Sequence, residues 1–293
     1  MNERGEGPQV ALDIRVELGE GPMWDNRRGV LMWVDIWAGA VHSTDLATGV
    51  DESVDVGQPV GAVVPRTSGG YAIAVRDGFA FLADDGTVTA VADVEADVTA
   101  NRMNDGKCDR QGRFWAGTMA ADQRPGAGSL YRLDPDLSVT KMLSDVTISN
   151  GLAWSLDDAT MYYIDTPTAG VDAFDYDAGT GAIENRRRLI DIPPEQGSPD
   201  GMALDSEGFL WVALYGGAAI RRYSPDAVLD RVIELPATNI TCCAFGGPGL
   251  TDLYITSARQ ELSGAQLATQ PLAGALFGLQ SGVRGLPTEA FGG

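Results

Sequence analysis

The sequence predicts an all-β chain folded as a six-bladed β-propeller with four-stranded antiparallel blades. A short residue pattern recurs six times, and successive copies start about 40 to 50 residues apart, which is the spacing of propeller blades. Short apolar runs between the copies are separated by turn residues, and 37 glycines and 15 prolines are spread along the chain. This composition suits many short strands joined by tight turns.

The recurring pattern is a polar residue, a glycine and a short apolar run. It is clearest at residues 150–155 (NGLAWS) and 200–205 (DGMALD). The six copies, some of them departing from the pattern at one position, start at Glu20, Val60, Asp105, Asn150, Asp200 and Thr241. Each copy is predicted to open the first strand of a blade.

The remaining strands follow each copy in a constant order. Second strands are predicted at 30–36, 71–75, 114–117, 161–165, 209–213 and 253–256, and third strands at 41–44, 79–82, 130–133, 171–176, 219–223 and 275–279. The sixth unit has no clear fourth strand. Residues 9–18 alternate apolar and polar side chains, so we expect this N-terminal strand to complete the last blade and close the ring. No stretch shows convincing helical periodicity.

The even repeat predicts a single domain over residues 1–293, with residues 1–8 flexible. The chain has 21 basic and 41 acidic residues and a net charge of -20, which disfavours nucleic acid and anionic membranes as partners. Three cysteines, two of them adjacent, make no disulfide framework. The N-terminus has no apolar signal core, so we expect a cytoplasmic protein. We also expect a monomer or a small homo-oligomer.

The six pattern positions face the channel axis at one height, since the first strand of every blade lines the channel. Four of the six residues carry carboxylate or amide oxygens, and burying them together is unfavourable unless something offsets their charge. A hard divalent cation in the central channel is the simplest offset. The alternative is that each polar residue only caps a turn; its recurrence around a ring favours the metal.

Other catalytic arrangements have little support. His42 is the only histidine and lies on a third strand, where a structural role is expected, so a Ser-His-Asp triad is disfavoured. Cys108 is expected to be a small buried strand residue rather than a nucleophile. The six tryptophans lie mainly in strands, where packing between blades explains them.

Four stretches together resemble the regucalcin (SMP-30)/gluconolactonase family over nearly the whole chain. They are residues 19–24 (GEGPMW), 101–119 (NRMNDGKCDRQGRFWAGTM), 149–155 (SNGLAWS) and 199–203 (PDGMA). The resemblance implies a six-bladed propeller that holds one divalent metal, Ca²⁺, Zn²⁺, Mn²⁺, Mg²⁺ or iron, through Glu20, Asn150 and Asp200.

The resemblance also implies a set of substrate-binding residues. Arg102 and Asn104 would bind the sugar oxygens beside the metal, and an acidic residue of the family that touches substrate hydroxyls would fall at Asp122, where the side chain is shorter than the glutamate often found there. Asn101 and Asp105 are further candidate contacts.

These observations predict a metal-dependent sugar lactonase that hydrolyses an aldonolactone to the aldonic acid in carbohydrate catabolism. Hydrolysis of a cyclic ester requires a polarised carbonyl and an activated water, and a metal with open positions supplies both. Asp200 is then both a ligand and the general base, and Arg102 stabilises the developing oxyanion. Two alternatives stay open: a hydrolase of other esters or organophosphates, and a calcium-binding or scaffold propeller without turnover. Loops 120–128 and 191–199 are expected to decide which lactone is preferred.

Overall fold

The computed structural model describes residues 7–293, which form six four-stranded antiparallel sheets. The first strands are β2 (Gly19–Asp25), β6 (Val60–Pro65), β10 (Asn101–Cys108), β14 (Ser149–Trp154), β18 (Ser198–Leu204) and β22 (Ile240–Gly246). The second strands are β3 (Val30–Asp35), β7 (Tyr71–Val75), β11 (Phe114–Ala120), β15 (Thr160–Asp165), β19 (Leu210–Tyr215) and β23 (Asp252–Ser257).

The outer half of each blade completes the sheet. The third strands are β4 (Ala40–Asp45), β8 (Gly78–Leu82), β12 (Gly128–Leu133), β16 (Gly170–Asp177), β20 (Ala219–Tyr223) and β24 (Leu276–Gln280). The fourth strands are β5 (Val50–Asp55), β9 (Val88–Asp93), β13 (Val139–Val146), β17 (Ala182–Asp191), β21 (Leu229–Glu234) and, in the sixth blade, β1 (Gln9–Leu12). The predicted all-β architecture of six four-stranded blades is therefore confirmed.

The first strands of neighbouring blades contact one another around the ring, so they line a central channel. The N-terminal strand closes this ring, because β1 pairs with β24 as the outermost strand of the sixth sheet. It is shorter than the predicted 9–18. Beyond it, Val16 donates its amide to Gly274, and Leu18 forms an isolated bridge with Ala258. Residues 1–6 of the segment expected to be flexible lie outside the described residues.

The helical content lies outside the blades. Residues 7–293 contain one α-helix, α1 (Gly264–Thr269), which lies in the connection between β23 and β24 and starts with a capping box of Ser263 and Gln266. Two 3-10 turns span Thr166–Thr168 and Pro194–Gln196. The expectation that no stretch is helical is wrong for α1, because six residues are too few to show a helical period. Among residues 7–293 no helix is long and apolar enough to cross a membrane.

The glycine of the recurring pattern allows the first strands to converge on the channel. A Cβ atom on Gly61 would lie 2.1 Å from the carbonyl oxygen of Asn104 in the next blade. A Cβ atom on Gly201 would lie 2.2 Å from Cys242 Sγ, again in the next blade. No side chain fits in this space, so a glycine is required wherever neighbouring strands approach this closely.

Apolar side chains between and within the blades form the core. Large clusters join the side chains of adjoining blades, and five of the six tryptophans are at most 7% exposed. Trp37 is the exception at 42% exposed. The expectation that tryptophans pack between blades therefore holds for five of them and fails for Trp37, which lies in the turn after β3 rather than in a strand.

Candidate metal centre and substrate channel

The ring predicted from the repeat lies at a set of strand irregularities. In all six blades, the pairing of the first and second strands shifts at or beside the ring position, for example between Glu20 and Met23 and between Pro199 and Met202. A β-bulge places an extra residue in one strand and redirects its side chain. The bulges thus occur where the polar side chains must turn toward the channel.

Glu20, Asp105 and Asp200 bring three carboxyl groups together in a nearly solvent-free place, each between 4% and 6% exposed. Burial and the neighbouring charge of Asp105 raise the pKa of Glu20 to about 8. Burial raises the pKa of Asp200 well above its usual range, and the charges of Glu20 and Asp105 raise it further. These mutual effects show that the carboxyl groups lie close enough to repel one another when they are ionised.

The turn-capping alternative accounts for part of this arrangement. Glu20 Oε2 accepts the amide of Gly21 at 3.0 Å, and Asp105 Oδ1 accepts the amide of Gly106 at 2.7 Å. Each of these caps occupies only one of the two oxygens of its carboxylate. The caps do not compensate the charges, because burial still raises the pKa of Asp105 despite this cap and the favourable charge of Lys107.

Asn150 is held in one orientation beside the carboxyl groups. Its Nδ2 donates to Thr166 Oγ1 at 2.8 Å, and its Oδ1 accepts from Asn104 Nδ2 at 2.9 Å. Thr166 in turn donates to the carbonyl oxygen of Pro199, directly before Asp200. The amide oxygen therefore points toward Asn104 and the channel, with a second lone pair available for a ligand.

Arg102 is the buried cation of the site and is 5% exposed. Its Nη1 donates to the Met103 carbonyl oxygen at 3.0 Å and to Asn104 Oδ1 at 2.6 Å, whereas its Nε is buried with no partner among the protein atoms. Burial lowers the pKa of Arg102 to about 10, and the charges of Glu20 and Asp200 oppose that shift. The guanidinium is thus charged at neutral pH and keeps a donor free for a ligand oxygen.

Asn104 connects the two halves of the site. Its amide group donates to Ser149 and Asn150 and accepts from Arg102, so its contacts with the protein position these residues. The structure therefore brings together five of the six predicted site residues: Glu20, Arg102, Asn104, Asn150 and Asp200. Asn101 lies nearby, with Nδ2 bonded to Glu95 and Ala127 and Oδ1 buried without a partner.

Asp122 is the predicted site residue that lies apart from the others. Its side chain is 60% exposed and pairs with Arg124 at 2.9 Å in the loop between β11 and β12. The structure thus places this carboxylate on an exposed loop rather than in the buried ring. Its role in binding substrate stays a prediction.

The residues assigned structural roles in the sequence occupy such places. His42 is buried, stacks on Trp33 with ring centroids 4.0 Å apart and lies 2.8 Å from Asp51 Oδ2. Cys108 is buried as a free thiol with its pKa raised by burial, so it is a poor nucleophile.

A loop that the repeat pattern does not predict lies at the channel mouth. It is the connection between β23 and β24 in the sixth blade, which is far longer than the corresponding turn of the first blade. Gln260 accepts from Trp37 Nε1, while Glu261 accepts from Gln123 at 3.2 Å and from the Tyr215 hydroxyl at 3.4 Å. The sign of this loop in the sequence is the long gap between the predicted second strand (253–256) and third strand (275–279) of the sixth blade.

The other end of the channel leads to a cavity of about 130 Å³ that is lined mainly by apolar strand residues and has Asp105 in its wall. The C-terminal segment 284–292 crosses it. Its backbone bonds to Ser206 and Leu250 on one side and to Pro65 and Gly112 on the other, and residues 286–289 line the cavity. The C-terminal segment thus lies across this end of the channel, whereas Trp37 and Glu261 lie at the other end.

The ring residues fit a divalent cation. Among residues 7–293 there is no cluster of three or more His, Cys, Asp or Glu side chains suited to a metal; the candidate donors are instead the carboxylates of Glu20 and Asp200 with the amide oxygen of Asn150. Oxygen donors of this kind suit hard cations. A bound cation would offset the repulsion that raises the pKa values of Glu20 and Asp200.

Comparisons with known proteins agree with this architecture. Residues 18–259 match the model of the family described as SMP-30/Gluconolactonase/LRE-like region. Regucalcin of Gallus gallus is 43% identical over 287 residues, which cover 95% of this chain and 96% of the relative. Human regucalcin is 40% identical over 293 residues, which cover 97% of this chain and 98% of the relative.

Solved structures show the same fold. A structure described as regucalcin, a calcium-binding protein of Agrobacterium tumefaciens, superposes with a TM-score of 0.94 at 31% identity, covering 98% of this chain and 97% of that one. A luciferin-regenerating enzyme superposes with a TM-score of 0.91 at 34% identity, covering 98% of this chain and 100% of that one. With the family match spanning more than half of its length, the chain belongs to the SMP-30/gluconolactonase/LRE-like family.

Proposed function

We propose that the protein is a divalent-metal-dependent sugar lactonase that hydrolyses an aldonolactone to the aldonic acid in carbohydrate catabolism. Family membership supports a sugar lactonase-like function. The observation that carries the proposal is the arrangement of Glu20, Asp200 and Arg102. Two buried carboxylates act on the charge of a buried guanidinium whose bonds to the described residues all come from Nη1, so a cation and an oxygen-rich ligand both have places in one channel.

Glu20, Asn150 and Asp200 would hold the metal, which when bound polarises an ester carbonyl and lowers the pKa of a water molecule. Asn104 and Thr166 keep the Asn150 oxygen turned toward the channel through the bonds described above. Fixing a ligand group in this way limits the reorganisation needed when the site is loaded.

Asp200 acts as the general base of this mechanism. Its carboxylate takes a proton from the attacking water as the water oxygen bonds to the lactone carbonyl carbon. It returns the proton to the ring oxygen as the ester bond breaks, giving one open-chain hydroxy acid.

Arg102 recognises the substrate and stabilises charge. Its bonds to the described residues come from Nη1, which leaves Nη2 as the donor available to a lactone oxygen, and a buried guanidinium strengthens any bond to an oxygen that gains negative charge. Asn104 orients the guanidinium through Nη1. A site that only binds a cation would not need a second positive charge beside it, so this residue favours turnover over simple calcium binding.

The proposal is tested by hydrolysis of D-glucono-1,5-lactone, followed by proton release with a pH indicator. Protein treated with EDTA is assayed alone and after addition of Ca²⁺, Mn²⁺, Zn²⁺ or Mg²⁺, with p-nitrophenyl acetate and paraoxon as competing substrate classes. Metal-restored lactone hydrolysis that Asp200→Asn abolishes supports the proposal. Calcium binding by calorimetry without turnover of any substrate would overturn it in favour of a binding propeller.

A further inference from the structure

Trp37 differs from the other tryptophans in a way that packing does not explain. The other five are at most 7% exposed, whereas Trp37 is 42% exposed. It lies just beyond the end of β3 that pairs with Glu20, since Glu20 is opposite Val34 in the sheet. The exposed indole therefore stands at the same end of the channel as the carboxyl groups.

The indole leans over the channel rather than away from it. The Arg102 guanidinium lies 5.0 Å from the centre of the Trp37 ring. Trp37 belongs to the first blade and Arg102 to the third, so the two side chains meet across the inner end of the second blade. Val60, the ring member of that second blade, is apolar and fully buried.

The sixth blade fixes the orientation of the indole ring. Trp37 Nε1 donates to Gln260 Oε1 at 2.5 Å, and the carbonyl oxygen of Gln260 accepts from Tyr215 and Asn239. Cation–π contact with Arg102 and the hydrogen bond to Gln260 hold a ring that is otherwise exposed. An aromatic residue held in this way is preorganised for a ligand.

The surroundings of Trp37 indicate the kind of ligand. A flat apolar surface adjoins buried hydrogen-bonding groups on Arg102 and Asn104, which suits a molecule with a C–H face and oxygen-bearing edges. Glu261 and Asp122 are exposed carboxylates at the mouth, and the chain carries a net charge of -20, so anionic ligands are disfavoured. An uncharged five- or six-membered sugar lactone has these properties.

We propose that Trp37 is a specificity-determining residue that stacks on the C–H face of an uncharged sugar lactone, and that Gln260 is the residue that positions its ring. This inference rests on the proposed function for the identity of the ligand. Stacking of this kind binds the ground state and the transition state alike, so its loss raises KM and leaves kcat nearly unchanged.

Kinetics of Trp37→Ala test the inference. We expect KM for D-glucono-1,5-lactone to rise about tenfold with kcat within about twofold of the unmodified protein. Trp37→Phe keeps the aromatic face and loses the bond to Gln260, so Trp37→Phe and Gln260→Ala are both expected to raise KM less. Leu156→Ala changes an exposed apolar residue in a turn at the opposite end and serves as the matched control.

A binding measurement separates this inference from the proposed function. Trp37 is the most exposed tryptophan, so acrylamide should quench mainly its emission, and D-glucono-δ-lactam, which resists hydrolysis, should protect it. Protection in the unmodified protein that Trp37→Phe removes supports the inference even if no lactone is turned over. An unchanged KM in folded Trp37→Ala, or no protection by a lactam that inhibits competitively, would overturn it.

Discussion

Gln123 Nε2 donates to Glu261 Oε1 at 3.2 Å although the two residues belong to the third and sixth blades, which lie on opposite sides of the channel. The contact therefore spans the mouth above the ring. Both residues have positive φ angles, 55° for Gln123 and 64° for Glu261. Two loop tips thus meet across the mouth of the channel.

Removing this contact is expected to widen the entrance. Glu261→Ala should raise kcat/KM for a bulky disaccharide-derived aldonolactone several-fold relative to D-glucono-1,5-lactone, since loops of this kind control access. The melting temperature should change little, because an exposed hydrogen bond contributes at most about 1 kcal/mol. Gln123→Ala should behave in the same way. Unchanged selectivity in both variants would show that the contact does not limit entry.

Asp200 and Glu20 are expected to affect turnover and metal binding to different degrees. Asp200→Asn should lower kcat by about 10²–10⁴-fold, since it removes the general base as well as a charged ligand. Glu20→Gln should weaken metal affinity by roughly 10–100-fold and recover activity at high metal concentration. Asp136→Asn, an exposed carboxylate in a turn at the other end, is the control. Full metal-dependent activity in Asp200→Asn would refute the site.

The metal-free protein is expected to lose stability as the pH rises. The pKa of Glu20 is about 8 in the folded state, well above its ordinary value. Between those values the folded state keeps a proton that the unfolded state has released, so the free energy of unfolding falls with increasing pH. Stability from this group is fully present below the ordinary pKa and is lost as the pH passes about 8.

Calorimetry with EDTA present measures this effect. The melting temperature of the unmodified protein should fall more steeply from about pH 5 to about pH 8.5 than that of Glu20→Gln, whose side chain cannot ionise. Saturating divalent metal should reduce the difference. Parallel pH profiles for the two metal-free proteins would contradict the prediction.

A buried cluster in the fifth blade should contribute to stability without affecting catalysis. Asp205 is fully buried and accepts from Trp211 Nε1 at 2.9 Å and from Arg222 Nη2 at 2.7 Å. Asp205→Ala removes a carboxylate partner of the buried Arg222 guanidinium, so the free energy of unfolding measured in urea should fall by about 3 kcal/mol. The double variant with Arg222→Met should recover part of the loss. Activity per folded molecule should stay unchanged, because Asp205 lies at the opposite end from the ring.

Closure of the ring by the N-terminal strand predicts that truncation affects the whole domain. Deleting residues 1–18 removes β1 from the sixth blade together with Val16 and Leu18, which are each 6% exposed. We expect the cooperative unfolding transition to broaden and its midpoint to fall. Deleting residues 1–8, which ends before β1, is the control and should leave the transition sharp. A sharp transition after the longer deletion would contradict the closing role.

The sequence alone determined the blades and the ring, because both repeat with a fixed period. Gly61, Gly151 and Gly201 recur because a Cβ atom at each of these positions would collide with the first strand of the next blade. Asp200 could be placed beside Glu20 for the same reason: equivalent positions in successive blades face one axis.

Tertiary structure decided how the ends of the channel are built. The approach of Trp37 to Arg102, the bond between Gln123 and Glu261 and the outward position of Asp122 all depend on the length and direction of individual loops. These contacts join residues up to 138 positions apart and follow no period. Local sequence preference cannot specify such pairs, because only the closed ring brings loops of distant blades together.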